Sequence, residues 1–207
     1  ALMGTYAYVL PRQNTFVAPL GAVQSSITDA FPEVQSVSVS RSGFTGITLS
    51  VTERVARGEW CLPAMPAHAG QAGDVQFQHC YLMDAGGFIY SDAAPEGALV
   101  RYSDAFIGDV IGRTYLDGDF PSLLSFVEDV ERVTKRGPEK VSVDESDDVE
   151  LEFSDGGVIR FVREKQPVET LDNIASVFAS ERIRNGERFE YADFRFGDRV
   201  YVQFVGE

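Results

Sequence analysis

The sequence is poor in the residues from which most enzyme sites are built. Its 207 residues include two cysteines, two histidines and a single tryptophan. A Ser-His-Asp or Cys-His arrangement therefore has little material. The motifs G-x-S-x-G, G-x-x-x-x-G-K-[ST] and H-E-x-x-H are absent, and no G-x-G-x-x-G follows a strand. We therefore predict a protein that is not an enzyme and that has no catalytic residues, no cofactor and no bound metal.

Basic residues are scarce as well. Lys and Arg number 18 against 32 Asp and Glu, which gives a formal net charge of −14. This balance argues against nucleic-acid binding, because phosphate contacts need clustered Lys and Arg, and against docking on an anionic lipid surface. No apolar run approaches the roughly 18 residues that a membrane-spanning helix requires. The remaining composition, 44% hydrophobic and 24% charged, is typical of a globular protein.

The two cysteines, Cys61 and Cys80, flank an insert rich in Pro, Gly and Ala. A disulfide between them would close this loop and stabilise the fold by roughly 3 kcal/mol in the chain-entropy picture. It would also imply an oxidising, extracytoplasmic compartment. Two alternatives remain at this point: a pair of free thiols, or a zinc site that adds His68 and His79. The paired C-x₂₋₄-C and H-x₃₋₅-H spacings of zinc sites are absent.

The pattern of apolar residues predicts a mixed α+β protein. PLGAVQSSITDAF has apolar residues at helical spacing, and VQSVSVSR and GITLSVTER alternate as strands do. Beyond Val55 the pattern is mostly strands, with helices at PSLLSFVEDVERVTKR and VETLDNIASVFAS. We therefore expect an antiparallel sheet with two helices packed on it. Asp117 and Asp119 are interpreted as turn residues, with Asp119 capping the first of these helices.

The last residues predict a β-hairpin, since RFEYADFRF and RVYVQF flank a tight turn at Gly197-Asp198. Alternation on the first strand gives two rows: Ala192, Phe194 and Phe196 on one face, and Tyr191, Asp193 and Arg195 on the other. The apolar row of the second strand is Val200, Val202 and Phe204. The two apolar rows share a face when Phe196 lies opposite Val200, which requires a three-residue loop or a bulge.

The final strand is expected to form the edge of the sheet. Its free backbone N–H and C=O groups would then allow a partner to add a strand by β-augmentation. Tyr191, Arg195 and Tyr201, on the exposed face, would select that partner. The alternative for Arg195 is a structural role, in which it pairs with nearby acidic residues.

Several segments together resemble the extracytoplasmic region of the bacterial cell-division protein family FtsQ/DivIB. In FPEVQSVSVSR, a Pro-x-Val-x-x-Val-x-Val strand falls on Pro32, Val34, Val37 and Val39. In ITLSVTERVARGEW, a Val-x-Glu-Arg-like signature and an aromatic residue fall on Val51, Glu53, Arg54 and Trp60. In CYLMDAGGFIYSDA, the family's hairpin falls on Met83, Asp84 and Gly87. In YADFRFGDRVYV, its terminal strand falls on Tyr191, Asp193, Phe194, Arg195 and Phe196.

The resemblance implies a small POTRA-like module at residues 1–54 and a β-domain at residues 55–207 that ends in an edge-strand hairpin. The first strand of the module is either supplied by TYAYVL or has been cut off. A missing single membrane-spanning anchor is expected, which would place this region outside the cell membrane at the division septum. Paired cysteines are not general in the family, so the predicted disulfide rests on the loop argument alone.

The resemblance also implies a function. The family organises the divisome without catalysis, linking septal proteins and regulating septal peptidoglycan synthesis. Its partners are FtsB and FtsL, with a strand of FtsB received by the last strand of the β-domain, and other divisome proteins are expected at the POTRA module. The partner-binding residues implied here are Tyr191, Asp193, Phe194, Arg195, Phe196, Val200, Tyr201 and Val202. The alternatives are a POTRA-containing outer-membrane assembly or secretion module, and a secreted hydrolase or ligand-binding protein.

Overall fold

The chain divides into two compact units, Ala1–Val55 and Ala56–Glu207. The structure is a computed structural model. It describes residues 5–6, 10–11, 18–43, 46–63, 77–92, 99–104, 106, 108–163, 167–197 and 199–207. His68 lies outside the described residues, and so does most of the insert between the two cysteines.

The first unit is one helix on a β-hairpin, preceded by a short pair of strands. The elements are β1 (Thr5–Tyr6), β2 (Leu10–Pro11), α1 (Leu20–Ala30), β3 (Val34–Ser42) and β4 (Gly46–Glu53). Strands β3 and β4 are antiparallel, with Val37 opposite Val51. Helix α1 packs on β3 and buries Val37. The predicted helix and the two predicted strands are confirmed, and among the described residues TYAYVL supplies β1 and the first residue of β2.

The second unit is built on a nine-stranded sheet. Its first strands are β5 (Gly58–Pro63), β6 (Phe77–Met83), β7 (Ile89–Ser91) and β8 (Arg101–Ser103). The later strands are β9 (Pro138–Val143), β10 (Asp148–Phe153), β11 (Val158–Val162), β12 (Phe189–Phe196) and β13 (Arg199–Phe204). The helices are α2 (Phe120–Thr134), α3 (Pro167–Phe178) and α4 (Glu181–Arg184). The strands lie in the order β13-β12-β11-β10-β9-β8-β5-β6-β7.

The α+β prediction is confirmed, and the large sheet is mostly antiparallel. Three neighbouring pairs, β5–β8, β8–β9 and β11–β12, are parallel instead. The reason lies in the connections, because a parallel pair needs a long crossover, usually a helix. Helix α2 makes the crossover from β8 to β9, and α3 with α4 makes the crossover from β11 to β12. The predicted helices therefore account for the parallel pairs β8–β9 and β11–β12, which the alternation of apolar residues does not reveal, whereas β5 and β8 are connected through β6 and β7.

The core lies between the sheet and the two long helices. Helices α2 and α3 pack against each other, and Val127 and Val130 of α2 are buried with Ile174 of α3. Every second residue of the central strands is buried with them, as Leu151 on β10 and Ile159 on β11 illustrate. Burial of one face in this way gives each strand an alternation of apolar and polar residues.

The structure changes the expected role of Asp119. Helix α2 begins after Asp119, but the Asp119 side chain makes no capping hydrogen bond. Its carboxylate instead accepts a hydrogen bond from Arg163, at 2.7 Å. The prediction that the Asp119 side chain caps the helix was therefore wrong, because its carboxylate pairs with Arg163, which lies 44 residues away in the sequence.

Cys61 and Cys80 form a disulfide, as predicted. They lie directly opposite each other on the antiparallel strands β5 and β6. Both sulfur atoms are bonded to each other, which leaves neither of them free as a thiolate ligand for zinc. No helix in the described parts of the chain is long and apolar enough to cross a membrane.

Reduction of the disulfide should lower the stability of the second unit. The two cysteines are 19 residues apart, so opening this loop should reduce the free energy of unfolding by about 3 kcal/mol. Urea unfolding of the oxidised and the reduced protein measures this, because both samples have the same side chains. An unchanged urea midpoint after complete reduction would contradict the prediction.

Candidate binding site on the last β-hairpin

Strand β13 forms one edge of the nine-stranded sheet. Among the described strands it pairs only with β12. The strand at the opposite edge, β7, has only three residues, whereas β13 has six. An edge strand has one row of backbone N–H and C=O groups without sheet partners, and such a row is a template for pairing with another chain. The longer edge is therefore the candidate site.

The pairing of β12 with β13 is irregular at two places, between Phe189 and Tyr191 and between Asp193 and Phe196, and the second is a β-bulge beside the turn. Asp193 lies opposite Tyr201 and Phe196 lies opposite Arg199, so β12 has one more residue than β13 between these pairs. The turn begins at Gly197, whose φ of 69° falls in the left-handed region that glycine adopts without strain. The sequence predicted either a three-residue loop or a bulge, and the structure contains a bulge. The expected pairing of Phe196 with Val200 was wrong.

The bulge moves Phe196 to the face of the sheet opposite helices α2 and α3, which we call the open face. Ala192 and Phe194 are buried, as the alternation predicts, but Phe196 is 54% exposed. Its ring lies 5.3 Å from the ring of Tyr201, edge to face, and Tyr201 is 51% exposed. The prediction that Phe196 belongs to the buried row was therefore wrong, because an extra residue reverses the alternation beyond it. Phe196 and Tyr201 form an exposed aromatic pair beside the edge.

A hydrogen bond at the end of β13 shows which backbone groups face outward. The N–H of Val205 donates to the carbonyl of Arg188 at 2.9 Å, so Val205 faces β12, and at the other end of the strand Arg199 lies opposite Phe196. Backbone groups alternate in direction along an antiparallel strand. Odd-numbered residues from 199 to 205 therefore turn their N–H and C=O groups toward β12. The outward groups belong to Val200, Val202 and Phe204.

The side chains of these three residues are on the helix-covered face of the sheet. Phe204 is buried in the core, and Val200 and Val202 are half-buried against it. The exposed apolar surface of the two valines lies beside the outward backbone groups. A strand added here would bury that surface as well as satisfy the backbone groups.

Asp193 and Arg195 form an ion pair within the hairpin, in which the carboxylate is buried and the guanidinium is partly exposed. Asp193 is 5% exposed. Its carboxylate accepts hydrogen bonds from Arg195 Nε at 2.9 Å and from Arg195 Nη2 at 2.6 Å. The remaining terminal nitrogen, Arg195 Nη1, donates to Asp148 at the start of β10. Arg195 therefore pairs with acidic residues, as its structural role requires. Its role in selecting a partner stays a prediction.

These contacts also control the ionisation of Asp193. Burial alone would raise the pKa of this carboxyl group. Hydrogen bonds from the side chain and the backbone N–H of Arg195, with the nearby positive charge of Arg160, outweigh burial. The net effect lowers the pKa of Asp193 below its usual value, so the carboxylate is charged and paired at neutral pH.

Tyr191 lies on the open face but is partly covered. It is half-buried, and the guanidinium of Arg160 lies 5.2 Å from the centre of its ring. Arg160 in turn donates to Glu150 at 2.7 Å. Of the three residues predicted to select a partner, Tyr201 is thus the most accessible, and Tyr191 and Arg195 are partly occupied by contacts within the protein.

The prediction from the sequence did not include two residues of this region, Arg199 and Asp148. Arg199 is exposed on the same face as Tyr201, two positions away, and strand alternation along β13 could have identified it. Asp148 contacts Arg195 across 47 residues of sequence. No local pattern indicates that contact, because it depends on the order of the strands.

Comparison of the sequence with models of known protein families and with curated proteins gives no match. The resemblance to FtsQ/DivIB therefore remains a hypothesis.

Replacing Asp193 with Asn should destabilise the protein by about 1–3 kcal/mol at neutral pH, because the substitution weakens the charge-assisted hydrogen bonds between the buried Asp193 carboxylate and Arg195. The lowered pKa means that the stabilisation by Asp193 is present above the unfolded-state pKa, about 3.9, and is lost as the pH falls through the lower folded-state pKa. The difference in stability between wild type and Asp193→Asn should therefore shrink as the pH falls below the unfolded-state pKa of about 3.9.

Urea unfolding of both proteins at neutral and acidic pH tests this prediction. Asp172→Asn is the matched control, since Asp172 is an exposed residue of α3, and it should have little effect at either pH. A difference for Asp193→Asn that stays constant between the two pH values would refute the assigned role of the ion pair.

Proposed function

We propose that this chain is a non-enzymatic scaffold that binds another protein by accepting a β-strand on the outer edge of β13. The observation that carries the proposal is the outer edge of β13, which pairs with no other strand in the described part of the chain. Strand β13 turns the backbone groups of Val200 and Val202 outward and leaves the side chains of both valines half-exposed beside them. Backbone hydrogen bonds would supply affinity, and adjacent side chains would supply specificity.

The aromatic pair gives the edge a distinctive surface. Phe196 and Tyr201 expose about half of their surface on the open face, next to the exposed Arg199. Aromatic and arginine side chains are enriched among the residues that contribute most to protein–protein binding. An incoming strand would place alternate side chains against this open face, and the others against Val200 and Val202.

The resemblance to FtsQ/DivIB suggests which partner this is. We propose FtsB- and FtsL-like divisome proteins at β13, and other divisome proteins at the first unit, with the chain located outside the cell membrane at the division septum. In this role the protein would link septal proteins and regulate septal peptidoglycan synthesis. The disulfide supports an extracytoplasmic location, because disulfides persist in oxidising compartments.

A cleft on the second unit does not favour the alternative of a hydrolase or ligand-binding protein. Its lining includes Asp104, Asp148, Glu150, Arg160 and Arg195. These charges are paired with one another or with a neighbour: Arg195 with Asp148, Arg160 with Glu150, and Asp104 with Arg113. The lining also includes Asp144 and Glu145, so the ion pairs weaken this alternative without accounting for every acidic group of the cleft.

The decisive variant is Val202→Pro. Proline has no N–H, so the substitution removes an outward-facing donor, and proline is tolerated on edge strands where that side faces solvent. The bonds from β13 to β12 should survive, because they come from the odd-numbered residues. We expect Val202→Pro to bind the extracytoplasmic segment of an FtsB-like protein at least about tenfold more weakly than wild type.

Val202→Ala is the matched control, since it removes side-chain surface but keeps the N–H. It should bind within about threefold of wild type, and circular dichroism should show that both variants are folded. Equal binding by Val202→Pro and wild type would exclude the edge as the site. Failure of wild type to bind FtsB- and FtsL-like segments would refute the divisome assignment.

A further inference from the structure

The residues that follow β13 fold back across its outer edge. The carbonyl of Phe204 points outward and accepts a hydrogen bond from the N–H of Glu207 at 3.3 Å. Gly206 has a φ of 93°, as the third position of a tight turn requires when the chain reverses in this way. The turn therefore occupies an outward acceptor that an added strand would otherwise use.

Two side chains hold this turn from opposite faces of the sheet. Gln203, on the open face, donates from its side-chain amide to the carbonyl of Glu207 at 3.0 Å. On the helix-covered face, Arg182 of α4 donates to the Glu207 carboxylate at 2.7 Å. A residue that contacts both faces lies at the edge between them. Glu207 is thus held against the outer edge of β13 at Phe204.

Arg182 is fixed in place by further contacts. Its guanidinium lies 3.6 Å from the centre of the Phe204 ring. It also donates through Nε to Glu187, at 2.8 Å, within the segment between α4 and β12. A cation on an aromatic face and charge-assisted hydrogen bonds reinforce each other in such an arrangement. We call the contacts among Arg182, Gln203, Phe204 and Glu207 the latch.

We infer that the latch is an autoinhibitory contact that limits the length of strand the β13 edge accepts. This inference rests on the proposed function. With the latch closed, the outward N–H and C=O groups of Val200 and Val202 are available, whereas the carbonyl of Phe204 is occupied. A partner strand would then form hydrogen-bonded pairs with Val200 and Val202 only, at the end of the edge where Phe196 and Tyr201 lie. Opening the latch adds Phe204 to the edge and lengthens the docked strand.

The test compares wild type with Arg182→Gln and Glu207→Gln. Glu181→Gln is the matched control for Glu207→Gln, because it also removes one negative charge. Glu181 is exposed and adjacent to Arg182, but it is not part of the latch. Hydrogen exchange of each protein alone reports the latch directly. The Glu207 N–H should be protected in wild type and in Glu181→Gln, and should exchange faster in both latch variants.

The second measurement is binding of the FtsB-like extracytoplasmic segment, with the exchange footprint of the complex. Wild type should protect the amides of Val200 and Val202 on binding. Arg182→Gln should extend protection to Phe204 and bind about fivefold more tightly, as expected for one additional hydrogen bond. Glu181→Gln should behave as wild type does.

The possible results distinguish binding at the β13 edge from the limiting role of the latch. If Arg182→Gln loses protection at Glu207 but keeps the affinity and footprint of wild type, the latch does not limit docking, while the proposed edge remains the binding site. If wild type itself protects Phe204 on binding, the latch is not an obstacle and the inference is wrong. If neither wild type nor Arg182→Gln binds the segment, both the proposed function and the role of the latch are overturned.

Discussion

Burial of one face of the central strands β9, β10 and β11 is the constraint on which this half of the second unit depends. Helices α2 and α3 pack together over that face, and the opposite face must then present polar groups to water. Cross-strand ion pairs meet that need: Lys140 with Glu152, and Arg160 with Glu150, lie opposite each other in the strand register. These central strands are thus apolar on one side and charged on the other, and the backbone groups without sheet partners lie at the edges of the sheet.

The β12–β13 hairpin likewise has to turn the apolar side chains of both strands toward the helices. A regular two-residue turn would place the apolar row of β12 and that of β13 on opposite faces. The bulge between Asp193 and Phe196 removes this conflict, so that Phe194 and Phe204 both reach the core. Its consequence is the exposure of Phe196. The surface proposed to bind a partner is therefore a product of the packing that stabilises the hairpin.

The ion pair of Asp193 and Arg195 connects this edge to the rest of the sheet. Arg195 bridges Asp193 on β12 and Asp148 on β10, so it spans the intervening strand β11. Buried charges are costly unless they are paired and hydrogen-bonded, and here each partner is. A rigid hairpin is useful for strand addition, because a partner then meets an edge that is already in its bound conformation.

The sequence by itself determined the features that depend on near neighbours. Apolar spacing located α1, α2 and α3, alternation located the strands, two cysteines around one loop indicated the disulfide, and conflicting rows indicated a loop or bulge in the last hairpin. The tertiary structure decided the parallel pairs around β8 and β11, the exposure of Phe196, the contact of Arg195 with Asp148, and the latch at Phe204. Local patterns encode the period of an element and the chemistry of its turns. Strand order and long-range contacts depend instead on how elements distant in sequence share one core, and no short segment records that packing.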